Sequence, residues 1–173
     1  MTLAPARPLV VVMGVSGSGK STIGELLANS LDVPFLDADD LHPITNVDKM
    51  AAGVPLTDED RWPWLGAVGK ALAAADAEGT GLVVACSALK RAYRDAIREQ
   101  EPRTVFVYLE GSQELLGARL SRREDHFMPA GLLDSQFAAL DPLQHDEAGV
   151  VVGVEDAPQS IAATAEARLL AMR

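Results

Sequence analysis

The sequence predicts an α/β fold: a five-stranded parallel sheet flanked by helices in three layers, with a helical insertion late in the chain. Three observations predict it. Short apolar runs alternate with helical stretches, the pattern of strands joined by crossover helices. The first run, Leu9–Met13, leads directly into Gly14-Val15-Ser16-Gly17-Ser18-Gly19-Lys20-Ser21, which satisfies G-x-x-x-x-G-K-[ST] and is followed by a helical stretch. Leu82–Cys86 is continuously apolar, as a strand buried on both faces must be.

Taken in order, a leader over residues 1–8 precedes one domain over 9–173. Helix one covers Lys20–Leu31, where Ile23, Leu26, Leu27 and Leu31 form an apolar stripe. Val33–Leu36 reads as a strand ending in Asp37, and Leu41–Ala52 as a short helix closed by Gly53. The acidic run before Trp62 suits a helix N-terminus, and Pro63 predicts that this helix starts no earlier than about Asp60 and runs to Glu78. After Leu82–Cys86 come a helix over Leu89–Gln100, a strand over Thr104–Leu109 and a helix from Ser112 to about Arg122. The segment 121–149 holds a helix over Pro129–Leu140 but no strand, and so reads as a lid inserted between strands four and five. Val150–Val154 and Pro158–Met172 complete the alternation. With the Gly-rich motif in this strand–loop–helix setting, the fold is that of a P-loop NTPase.

The chain has 173 residues, 48% of them hydrophobic, enough for one core without disulfides. The single cysteine, Cys86, forms no internal disulfide and no multi-cysteine metal site, which fits a reducing cytoplasm. A net charge of −10 argues against a nucleic-acid or anionic-membrane surface, and no apolar stretch reaches the length of a membrane span.

The Gly-rich loop lets successive backbone N–H groups and a helix N-terminus converge on phosphate. Residues Gly14 to Thr22 are therefore the nucleotide-binding set, with Lys20 as the cation for the β- and γ-phosphates and Ser21 as a Mg²⁺ ligand. No Asp ends the third or fourth strand, and N-K-x-D is absent, so the carboxylates must come from Asp37 and Asp39 beyond strand two. If that segment is extended, the two share one side. Asp37 then reaches the magnesium water shell, and Asp39 takes a proton from, or orients, an attacking hydroxyl. A plain Asx-rich turn is the competing reading. Ser87 and Lys90, just past strand three, with Arg94 and Arg61, form a cationic acceptor side suited to a carboxylate; solvated helix charge is the alternative. Arg91 and Arg98 read as surface residues. Arg119, Arg122 and Arg123 precede the lid, and Arg119 and Arg123 are the candidates for closing on the triphosphate. His42 is placed to hydrogen-bond substrate hydroxyls.

With these residues in view, the chain resembles the gluconokinases of the thermoresistant type, built on the scaffold of shikimate kinase and the nucleoside monophosphate kinases. The likeness runs from Val10 to about Ala163. It rests on Met13–Thr22, Leu36–Pro43, Asn46 with Lys49-Met50, Pro55–Leu65, Cys86–Lys90 with Tyr93-Arg94, His126–Pro129, and Ser135–Phe137 with Leu140. It implies transfer of the ATP γ-phosphate to the 6-hydroxyl of D-gluconate, giving 6-phospho-D-gluconate for carbohydrate metabolism, with Mg²⁺ and as a homodimer. By position it makes Asp39 the base, Asp37 a magnesium-shell ligand, Arg61 the carboxylate anchor and the lid arginines ATP contacts. His126 and Gln136 join the substrate set by the same likeness. Two departures, Asp125 before the His-Phe pair and Gly153 in the last strand, bear on lid and nucleotide-loop detail. The competing readings are a kinase for shikimate or a nucleoside monophosphate, and a nucleotide-dependent switch.

Overall fold

The computed structural model describes residues 6–122 and 130–172. Five parallel strands, β1 (Leu9–Met13), β2 (Phe35–Asp37), β3 (Leu82–Ala85), β4 (Val105–Glu110) and β5 (Gly149–Gly153), form one sheet in the order β2-β3-β1-β4-β5. The central strand β1 aligns Val11 with Val84 of β3 on one side and with Phe106 of β4 on the other. Because helices cover both faces, all five residues of β1 are buried and its side chains divide by alternation. Val10 and Val12 enter one core layer with Ile23, Leu27, Leu116 and Ile161; Leu9, Val11 and Met13 enter the other with Leu65, Val68, Leu72 and Ile97.

The first layer is made by α1 (Lys20–Leu31), α5 (Gln113–Ser121), α6 (Ala130–Ala139) and α7 (Pro158–Ala171). The second is made by α3 (Asp58–Glu78) and α4 (Arg91–Gln100), while the short α2 (Ile44–Ala51) bridges from β2 to α3. Between residues 130 and 148 the chain is helix and loop without a strand, as expected for the insertion. Among the described residues, no helix is long and apolar enough to cross a membrane.

Two local expectations are corrected. Helix α3 begins at Asp58 rather than Asp60, because Thr57 and Asp60 form a reciprocal capping box: Asp60 N donates to Thr57 Oγ1 at 3.2 Å and Thr57 N to the Asp60 carboxylate at 2.9 Å. That leaves Pro63 inside the helix and not in its first turn. The segment after β2 is also not extended: Ala38–Leu41 is a 3₁₀ turn, because the Asp37 carboxylate accepts from Asp39 N at 3.0 Å and folds the chain over itself.

Candidate active site

Each strand delivers residues to the carboxyl edge of the sheet, and three of these deliveries meet in one cavity of about 280 Å³. Its walls include Ser16, Lys20, Ser21 and Thr22 from the Gly-rich loop, Asp37 and Asp39 from beyond β2, and Ser87 from beyond β3. The loop fits closely over its own helix. A Cβ on Gly14 would meet Ser18 Oγ at 2.7 Å, and one on Gly17, at φ 83°, would meet Leu120 at 2.9 Å. Val15 and Ser18 turn their side chains inward, at 2% and 1% exposure, and neither lines the cavity. Lys20 Nζ donates to the Val15 carbonyl at 3.2 Å, a bond across the loop.

The two carboxylates fall together by a different route from the extended one expected. Asp37 accepts from Ser21 Oγ at 3.0 Å as well as from Asp39 N. Asp39 is swung by the 3₁₀ turn onto the same cavity wall. Burial, and then the neighbouring Asp37 charge, push the Asp39 carboxyl above its ordinary value, with His42 and Lys20 pulling the other way. Asp39 thereby has a raised proton affinity, in the direction a general base requires.

On the acceptor side, Tyr93 sits between Arg61 and Lys90, whose charged ends lie 5.6 and 5.5 Å from its ring centre. Arg61 Nη1 donates to Tyr93 Oη at 3.3 Å, and both cations pair with Asp58, at 3.6 Å from Arg61 and 3.4 Å from Lys90. The Tyr93 hydroxyl also donates to Asp58, and that hydrogen bond leads the causes holding the Asp58 carboxyl low. Burial lowers the proton affinity of His42, with the Asp39 charge opposing and the Arg61 charge adding to it. Tyr93 and Asp58 are members of the cluster that sequence reasoning did not single out. Both fall within segments that carry the family resemblance, and spacing marks them too: Tyr93 lies one helical turn after the expected Lys90, and Asp58 one turn before Arg61.

Arg94 is corrected. Its guanidinium is fully buried and saturated, with Glu147 at 2.7 and 2.9 Å and the carbonyls of Ala88 and Leu89 at 3.0 and 3.2 Å. It holds the loop after β3 and does not line the cavity. Arg98, read as a surface residue, is half-buried with its guanidinium 4.7 Å from the Phe106 ring centre. Arg119 donates to the Val154 carbonyl at the end of β5 and is absent from the cavity wall. Gln136, on α6, does reach the cavity, but its partner is the Gly-rich loop: Oε1 accepts from Ser16 N at 2.7 Å and Nε2 donates to Ser16 Oγ at 2.9 Å. The expectations for Arg123 and His126 lie outside the described residues. Cys86 is buried, its thiol pushed up to about 12 chiefly by burial, and behaves as a small hydrophobe.

The family model described as shikimate kinase matches residues 16–165. The chain is 49% identical over 142 residues to the thermosensitive gluconokinase of Escherichia coli K12, covering 82% of this chain and 75% of that protein. The chain belongs to the gluconokinase family. A gluconokinase of Gluconobacter oxydans is 46% identical, with 88% of this chain and 85% of the relative covered. The crystal structure of a gluconokinase from Sinorhizobium meliloti superposes with a TM-score of 0.88 at 44% identity, over 98% and 95% of the two chains. A shikimate kinase from Acinetobacter baumannii, at 20% identity and a TM-score of 0.64 over 96% and 94%, shares the fold. The chain is thus a P-loop kinase, and membership of this family implies use of ATP.

Proposed function

We propose that this protein transfers the γ-phosphate of ATP to the 6-hydroxyl of D-gluconate, releasing ADP and 6-phospho-D-gluconate. One observation carries the reading. The phosphate-loop cavity has Asp39 and Ser87 in its wall, and three residues beyond Ser87 stands Lys90, which shares Asp58 with Arg61 in a cation cluster. A hydroxy acid matches this arrangement at both ends. Its carboxylate pairs with Arg61 and Lys90, exchanging for Asp58, and its far hydroxyl presents to Asp39.

In this reading the loop N–H groups and Lys20 hold the phosphates, and Asp39 takes the hydroxyl proton as the new P–O bond forms. Ser87 contacts the acceptor from the wall beyond β3. Gln136 closes the nucleotide side from α6 through its bonds to Ser16, and the family likeness assigns Arg119 and Arg123 to ATP and His126 to the acceptor. The Ser21 hydroxyl and Asp37 carboxylate, 3.0 Å apart, form an all-oxygen pair that suits a hard divalent cation. Mg²⁺ would be held by Ser21 directly and by Asp37 through water, and when bound it offsets charge on the β- and γ-phosphates. A homodimer in the cytoplasm is the assembly and compartment we assign.

A coupled assay of ADP release across gluconate, shikimate and nucleoside monophosphates tests the assignment. Gluconate should give the highest kcat/KM; another acceptor matching or exceeding it would overturn the claim.

A further inference from the structure

Asn46, on α2, is buried to 2% exposure between α3 and the turn that carries Asp39. Its Nδ2 lies 2.9 Å from the backbone carbonyl of Asp60 and 3.2 Å from Nδ1 of His42. A backbone carbonyl only accepts, so the Asn46 atom facing it must be the amide nitrogen, which only donates. Its second proton therefore meets His42 Nδ1, and that nitrogen must offer a lone pair. The plane of the ring is set by Trp64, stacked on it at 4.2 Å between centroids and 13° between planes, and the Asn46 contact sets which edge faces α2. Trp64 is fixed in turn, its Nε1 donating to the Ala38 carbonyl at 2.7 Å.

We propose that Asn46 is a positioning residue that holds His42 as the neutral Nε2–H tautomer, so that Nε2 presents a hydrogen-bond donor to the hydroxyls of the acceptor. The inference rests on the reading of His42 as an acceptor contact, and it adds which nitrogen does the work and what sets it. The chemistry of the wall explains the need. Asp39 as a carboxylate only accepts, so an acceptor hydroxyl that gives its proton to Asp39 needs a donor for its lone pairs. An imidazolium would also donate, but it would lose the Asn46 bond and place a cation beside Asp39, lowering the proton affinity of the base. The charged groups facing His42 are Asp39 on its own segment and Arg61 from α3. Burial and Arg61 favour the neutral ring, while Asp39 opposes them.

Two-bond ¹H–¹⁵N spectra of the uniformly ¹⁵N-labelled enzyme read the tautomer directly, with His42→Gln assigning the signal among three histidines. The expected result at neutral pH is an unprotonated Nδ1 and a protonated Nε2. A protonated Nδ1 would overturn the proposal without any variant at Asn46. In Asn46→Asp the donor becomes an acceptor, so Nδ1 should gain the proton; at alkaline pH, where the spectrum shows the ring still neutral, Nε2 then has none to donate and the KM for gluconate should rise about tenfold, with the KM for ATP unchanged. A switched tautomer with unaltered gluconate KM would remove the role in acceptor binding. A raised KM with an unswitched tautomer would reduce Asn46 to packing. The acceptor panel above is decided independently of either spectrum.

Discussion

Arg94 and Glu147 meet as a two-pronged ion pair, Nε to Oε1 at 2.7 Å and Nη2 to Oε2 at 2.9 Å, with both side chains fully buried. Burial alone would raise the Glu147 carboxyl; the hydrogen bonds from Arg94 and from Gln144 N bring it below its ordinary value. The pair joins α4 to the loop that enters β5, and Arg94 also accounts for the carbonyls of Ala88 and Leu89 beside the site. Ala88 sits there at φ 41°, a left-handed conformation that needs such support. Glu147→Gln leaves the Arg94 charge without its counter-ion and should cost about 3–5 kcal/mol in urea unfolding. Replacing both residues by methionine should recover only part of that loss, because the Ala88 and Leu89 carbonyls and the Gln144 amide lose their partners. An unchanged midpoint in the single variant would show that the pair contributes nothing.

If Asp39 is the base, its raised proton affinity should set the acid side of the rate profile. A base must be deprotonated, so kcat/KM should fall as pH drops through a pKa lying above 3.8, the ordinary value for Asp. Asp39→Asn should lower kcat by about 10²–10⁴-fold while nucleotide binding, followed by fluorescence of an ATP analogue, persists. Retained turnover would leave Asp39 with a structural part only.

Arg61 divides its guanidinium between Asp58 and Tyr93. If gluconate takes over that charge, Arg61→Ala should raise the gluconate KM by about 10–100-fold, the loss expected for a charge-assisted hydrogen bond. Initial rates at saturating ATP measure this directly. An unaltered KM would transfer the carboxylate to Lys90.

The start of α3 predicts an acid-sensitive contribution to stability. Hydrogen bonds from Lys49 and the Thr57 amide hold the Asp60 carboxyl at about 2, against 3.8 ordinarily. A depressed carboxylate pKa stabilises the fold above the unfolded value, so this contribution is complete above about pH 4 and is lost as pH falls towards 2. Asp60→Asn should flatten the stability profile in that window, as thermal melts from pH 2 to 6 would record. Thr57→Ala, which removes the other half of the box, should cost about 1 kcal/mol at neutral pH.

The sequence by itself determined the strand–loop–helix cradle, the alternation that makes a parallel sheet, and the delivery of Asp37 and Asp39 from beyond β2 to the cavity wall. These are local matters: a Gly-rich loop, an apolar period and a capping residue act within a few positions of themselves. The tertiary structure decided which charges face the cavity. Arg61 and Arg94 read alike as cations on helices of the acceptor side. Only folding brings Glu147 beneath Arg94, and it brings Asp58 and Tyr93 around Arg61. A buried charge takes the partner that long-range packing supplies, and no spacing within one helix encodes that partner. The tautomer of His42 belongs to the same class, since Trp64 and Asp60, from a separate helix, fix what Asn46 can offer it.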